Sequence, residues 1–141
     1  MAGERDAFLA RPAVRLAWCL VGAACAITFA LQVAGPQRTP LLLASLGGTT
    51  VFLFGLTRAP AAQPRALLGG HLGGALIGIA CYQLLGETMP AYTLAVALTL
   101  AFMLLTRTVH PPAGANPILM VHAHAGWPAL LQPVGLGVGA L

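Results

Sequence analysis

The stretch Ala66-Leu67-Leu68-Gly69-Gly70-His71-Leu72-Gly73-Gly74-Ala75-Leu76-Ile77-Gly78-Ile79-Ala80-Cys81-Tyr82-Gln83-Leu84-Leu85 holds no charged residue and runs into the short turn Gly86-Glu87-Thr88-Met89-Pro90. As an α-helix it extends about 30 Å, the thickness of a bilayer's hydrocarbon core. Gly70, Gly74 and Gly78 recur at every fourth position, with Gly69 and Gly73 beside them. Small residues on one helical stripe let a second backbone approach closely inside a membrane. The stretch therefore predicts a membrane helix built for tight packing.

Similar segments lie on either side. Val14 to Val33 is long enough to cross and carries Trp18 near its start, with Gly35-Pro36 at its end. Leu41 to Leu56 follows Pro40 and divides into a small, hydroxylated half (Ala44 to Thr50) and a bulky half (Val51 to Phe54). That division predicts a broken or re-entrant element. Beyond the central stretch come Ala91 to Leu105, the polar run His110 to Pro117, a brief apolar piece Ile118 to Val121, and Trp127 to Leu141. The last ends on apolar Leu141, as a half-membrane helix or a shortened helix would.

The composition agrees. Of 141 residues 58% are hydrophobic and 7% charged, with mean hydropathy +0.85, against about 25% charged in soluble domains. The expected fold is an all-α integral membrane bundle of roughly four to six hydrophobic segments, one or two of them broken. Residues 1–13 form a cytoplasmic tail and 14–141 a single transmembrane domain. Arg5, Arg11 and Arg15 before an apolar run resemble a secretory signal, but the run is too long for one, so it is expected to be retained. If the first four segments all cross, Arg5, Arg11, Arg15, Arg58, Arg65 and Arg107 share one side and Arg38 lies opposite with Glu87. This asymmetry predicts a cytoplasmic N-terminus and favours a full crossing by the second segment. A faint repeat also appears: a shift of 67 lays Leu46 to Leu53 on Ala113 to Met120. Matched broken elements in duplicated halves mark many transporter sites.

Leu105-Thr106-Arg107-Thr108-Val109-His110-Pro111-Pro112-Ala113-Gly114-Ala115 resembles the signature of the HPP family of integral membrane proteins. Ala62-Gln63-Pro64-Arg65 with Gly69-Gly70-His71, and Ala44-Ser45-Leu46-Gly47, resemble further family motifs and stand in family order. The resemblance implies about four transmembrane helices. Plant members are implicated in carrying nitrite across the chloroplast envelope, and many bacterial members have no assigned function. It implies here a bacterial inner (plasma) membrane location and movement of a small inorganic anion, nitrite first. The chain departs from the pattern at Asn116-Pro117, where Thr-Ala is common, and lacks part of the usual C-terminal helix.

A membrane anion site needs donors without a dense cluster of charge. Two helix N-termini are expected to supply N–H groups and a positive dipole end, at Ser45-Leu46-Gly47-Gly48-Thr49 and at Pro112-Ala113-Gly114-Ala115-Asn116. The candidate anion-binding residues are Ser45, Gly47, Gly48, Thr49, His71, Arg107, His110, Gly114 and Asn116. The glycines alone would equally serve close packing. His71, about 9 Å past Arg65 along the helix, would donate to an anion or carry a proton; a packed histidine bonded to a carbonyl is the plainer alternative. Arg107, three before His110, would attract anions to a cytoplasmic mouth or only snorkel to the interface. Pro64 makes Arg65 a helix-start residue, with Gln63 as a possible cap.

Other classes fit less well. The arginines are scattered, with no basic stripe, which argues against nucleic acid. Three cysteines inside apolar runs predict free thiols. His110, His122 and His124 have no acid or cysteine near them in the sequence, so no metal and no cofactor is expected. The acids Glu4, Asp6 and Glu87 lie in the tail or a loop, which argues against an enzyme. The small chain suggests a homo-oligomer joined by the central glycine stripe, in contact with lipid. The rival function is a non-transporting membrane module that binds a partner, which a sealed polar network would favour. The second rival is a metalloenzyme built on the three histidines.

Overall fold

The computed structural model describes residues 12–34 and 40–141. Most of the expected tail, with Arg5 and Arg11, falls outside them, as do Gly35-Pro36 and Arg38. The fold is an all-α membrane bundle, with no strand among the described residues. Its helices are α1 (Pro12–Ala34), α2 (Pro40–Gly55), α3 (Pro64–Leu85), α4 (Met89–Thr106), α5 (Asn116–His122) and α6 (Leu136–Gly139). Single 3-10 turns occupy Pro60–Ala62, Pro111–Ala115 and Trp127–Leu130.

Among the described residues three helices are long and apolar enough to cross a membrane: Pro12–Val33 of α1, α3 and α4. Helix α2, with 16 residues, rises about 24 Å, somewhat short of the core thickness. It is one continuous α-helix, which corrects the expected break in the small-residue half. Thr50 Oγ1 donates back along the helix to Leu46 O at 2.9 Å, and Thr49 Oγ1 lies 2.9 Å from Ser45 O. Neither side chain interrupts the backbone ladder.

Helix α3 lies at the centre. Of its apolar window 44% is buried, against 6% for α1, and it packs on α4, α5 and both flanking turns. Pro64 fits its first turn, where a missing N–H costs nothing. Gln63 stands at the N-cap without a side-chain cap bond. Helix α4 begins under Thr88, whose hydroxyl accepts from Ala91 N–H at 3.4 Å. It ends with Arg107 in the left-handed region (φ 56°) and Thr108 N–H donating to Met103 O at 2.9 Å. That is a Schellman ending on a non-glycine residue.

The glycine stripe is used within the chain. A Cβ on Gly70 would lie 3.0 Å from His110 Cβ, and one on Gly78 would lie 2.6 Å from Pro117 Cα. The stripe therefore lies against residues 108–120 of the same chain. An apolar core of Leu46, Leu67, Ile79, Leu119, Met120, Val134 and Val138 closes one side of α3. The last segment is not one helix: Gln132 is extended (φ −135°, ψ 120°) between the turn at Trp127–Leu130 and α6. The cysteines carry free thiols, Cys81 being buried.

Candidate functional site

Four polar side chains, each from a different element of the chain, meet inside the bundle. Thr49 comes from α2, His71 from the second turn of α3, and His110 from the loop between α4 and the Pro111–Ala115 turn. Asn116 opens α5. Thr49, His71 and His110 are fully buried, and Asn116 is 1% exposed. Thr49 Oγ1 lies 2.8 Å from His71 Nε2 and 2.8 Å from His110 Nε2. His110 Nδ1 reaches Ala61 O at 2.6 Å. Asn116 Nδ2 lies 2.9 Å from His71 Nδ1 and 3.1 Å from His71 O. The imidazole centroids are 5.2 Å apart, and Phe52 presents its ring at 65° to His110.

The partners fix the tautomers. A backbone carbonyl only accepts, so the Asn116 amide must point its NH2 at His71 O. Its second hydrogen then goes to His71 Nδ1, which is an acceptor, leaving the proton of His71 on Nε2. Ala61 O likewise requires a proton on His110 Nδ1. Donation thus runs from Asn116 through His71 to Thr49. Asn116 Oδ1 finds no partner, a cost of about 1–3 kcal/mol for a buried acceptor. The crevice bounded by Ser45, Leu46, His71, Asn116, Val134 and Val138 has no room for a water molecule.

Among the nine sequence candidates, the structure gathers Thr49, His71, His110 and Asn116 into this network, with buried Ser45 supplying the carbonyl below Thr49. Gly48 packs on Pro112, 3.1 Å from a Cβ built there. Gly47 and Gly114 face open space. Arg107 is exposed at the end of α4; because the helix stops before it, Arg107 and His110 do not share a helical face. Of the two expected helix starts, the first is displaced and the second is a 3-10 turn leading into a short helix. Residues 45–49 lie inside α2, which begins at Pro40, and α5 has only 7 residues behind a 3-10 turn. The hydrogen bonds of the network are made by side chains and by the carbonyls of Ala61 and His71.

Sequence reasoning missed Ala61 O and Phe52, which no local pattern marks. It also missed a second cluster at the opposite end of α3. Glu87 was expected apart from the histidines, yet its Oε2 meets His124 Nε2 at 2.7 Å. Its Oε1 accepts from Tyr92 OH at 2.8 Å and meets His122 Nδ1 at 3.0 Å. Tyr82 stacks on His124 with planes 8° apart. Hydrogen bonds from His124, then Tyr92 and His122, hold the Glu87 carboxyl down at about 2. The three histidines of the metal reading are therefore divided: His110 is in the buried network, His122 and His124 are at the surface. Arg65 has a structural partner, its Nη2 donating to Thr106 O at 2.6 Å.

Comparison with known proteins fits this membrane bundle. The family model described as "HPP, transmembrane region" matches residues 10–141. A transmembrane protein of Dictyostelium discoideum is 35% identical over 94 residues, covering 64% of this chain and 30% of the relative. A second Dictyostelium discoideum transmembrane protein is 34% identical over 85 residues, covering 57% of this chain and 30% of its own length. The chain thus matches less than a third of each relative. No solved structure matches. With the family model covering nearly its whole length, the chain belongs to the HPP family of transmembrane proteins.

Proposed function

We propose that this protein moves a small inorganic anion across the membrane, with nitrite as the first candidate, through the buried network of Thr49, His71, His110 and Asn116. The observation that carries the reading is the convergence of two imidazole Nε2 atoms, each 2.8 Å from one oxygen, that of Thr49. An anion oxygen in place of this hydroxyl accepts from His71 Nε2–H, and from His110 Nε2 only when that ring carries a second proton; such donors count for more in an apolar setting than in water. No carboxylate joins the network among the described residues, which disfavours a cation. Arg58, Arg65 and Arg107 lie exposed at the end of the bundle where α3 begins and α4 ends, a positive rim that draws anions inward. By the positive-inside rule this rim is cytoplasmic, as is the N-terminus. The sealed network corresponds to a closed state of the cycle. A homo-oligomer belongs to the proposal, joined elsewhere than at the glycines of α3.

The lack of room for water beside His71 and Asn116 favours a second reading, a non-transporting membrane module that binds a partner. Nitrite uptake into proteoliposomes, with nitrate and chloride as competitors and protein-free vesicles subtracted, separates the two. Saturable uptake that depends on the protein supports transport. No uptake from demonstrably folded protein refutes it and leaves the partner-binding module.

A further inference from the structure

The Thr49 hydroxyl has one hydrogen and two claimants for it. Ser45 O, at 2.9 Å, can only accept. His110 Nε2, at 2.8 Å, accepts when bare and donates when protonated. His71 Nε2–H already donates to the same oxygen. With His110 neutral, the hydroxyl hydrogen points to His110 Nε2. Ser45 O loses nothing essential, because as a helix carbonyl it still accepts the backbone bond of its ladder. If one proton is added at His110 Nε2, the hydroxyl turns to Ser45 O. Thr49 Oγ1 then accepts from both rings, and every bond in the set is kept. No comparable place exists on His71, whose Nδ1 receives Asn116 and whose Nε2 is already protonated.

We infer that His110, rather than His71, is the proton-binding group of this network, and that it takes up one proton together with the transported anion. The inference rests on the transport reading and supplies its coupling ion. The proton binds the Nε2 lone pair, so the ring gains one positive charge and no other covalent bond changes. His110 is flanked by exposed Val109 and Pro111, whereas His71 lies within α3. The groups packed around His110 are Thr49 and Phe52 from α2, Gly70 and His71 from α3, and the carbonyl of Ala61. Among the described residues His71 is the one titratable group in that set. Arg58, Arg65 and Arg107 are exposed, and Glu87 is engaged at the other end of α3. A protonated His110 thus has no counter-charge beside it, and a charge buried in apolar surroundings demands one. The anion supplies it. One proton and one monovalent anion then cross with no net charge.

The test uses 15N-histidine NMR on the full chain in lipid bilayers, paired with nitrite uptake into vesicles loaded with a pH dye. His71 is expected as the neutral Nε2–H tautomer throughout. His110 is expected to pass from the Nδ1–H tautomer to the doubly protonated ring as the pH falls. First protonation of His71, or a neutral His110 bearing its proton on Nε2, overturns the assignment. Above protein-free vesicles, one proton should enter per nitrite. In the near-isosteric Thr49→Val protein, uptake should fall on the order of tenfold while the fold persists. Uptake without proton movement overturns the coupling. The expected histidine titration without flux of nitrite, nitrate or chloride overturns the transport reading and the coupling with it, while upholding the proton site.

Discussion

Residues 46–53 and 113–120 fall on one another under a sequence shift of 67, but the chain builds them differently. The first is the middle of α2, an unbroken helix. The second is a 3-10 turn, Pro111–Ala115, followed by the short α5. Pro111, Pro112 and Pro117 account for the contrast, since each removes a backbone donor and α2 has no proline between Leu41 and Gly55. Even so, the shift of 67 pairs Thr49 with Asn116, and these two residues hold opposite nitrogens of His71. Matching positions thus perform matching tasks on unlike backbones. The rigid copy presents a hydroxyl from a helix interior. The broken copy brings an amide in at a helix start and lays Pro117 against the glycines of α3.

The largest expected effect is on that last contact. In Gly78→Ala the new Cβ would lie 2.6 Å from Pro117 Cα and 2.7 Å from Pro117 O. Backbone cannot yield as a side chain does, so a loss of about 3 kcal/mol is expected, at the top of the usual overpacking range. Differential scanning fluorimetry in detergent would show it, and an unchanged melting temperature would mean that the broken segment is not seated on α3. Thr49→Val comes next, at about 2 kcal/mol, because it orphans His71 Nε2–H and His110 Nε2 together. Asn116→Ala should cost less, about 1 kcal/mol, since it also removes the unpartnered Oδ1. If Asn116→Ala proved the costlier of the two, the broken copy would be the stronger support of His71.

A smaller effect concerns the Glu87 cluster, which ties the α3–α4 turn to the end of α5. Its folded-state value near 2 lies below the ordinary 4.5. A depressed carboxyl stabilises the fold above its ordinary value and loses that contribution as the pH falls toward the folded value. The wild-type melting temperature should therefore decline between these limits more steeply than that of Glu87→Gln, and parallel curves would discount the cluster. The smallest effect is Gly114→Ala. With open space around the glycine, stability should stay within about 0.5 kcal/mol and nitrite uptake should not change. A clear loss of uptake would return Gly114 to the path.

The long apolar runs and their glycine and proline limits made α1, α3 and α4 legible from the sequence, because a bilayer demands length and apolarity above all. Thr49, His71, His110 and Asn116 could be named as candidates because polar groups in such runs are costly and few. Their mutual geometry was not legible, since it depends on how far α3 lets the 111–122 segment approach. Helix α2 was misread for a related reason. Small hydroxylated residues weaken a helix only when their side chains compete for its backbone, and here Thr50 bonds to the carbonyl four residues back while Thr49 faces the two imidazoles. Glu87 stayed hidden behind separations of 35 and 37 residues from its histidine partners.

The imidazole of His71 is gripped from both edges, by Thr49 of α2 and by Asn116 of α5. Sliding α2 past α5 strains both grips at once, so half-open arrangements have little to hold them. The ring behaves as a single bolt through two plates. In the proposed transport cycle, opening at this level of the bundle is then all-or-none, with little time spent between closed and open forms.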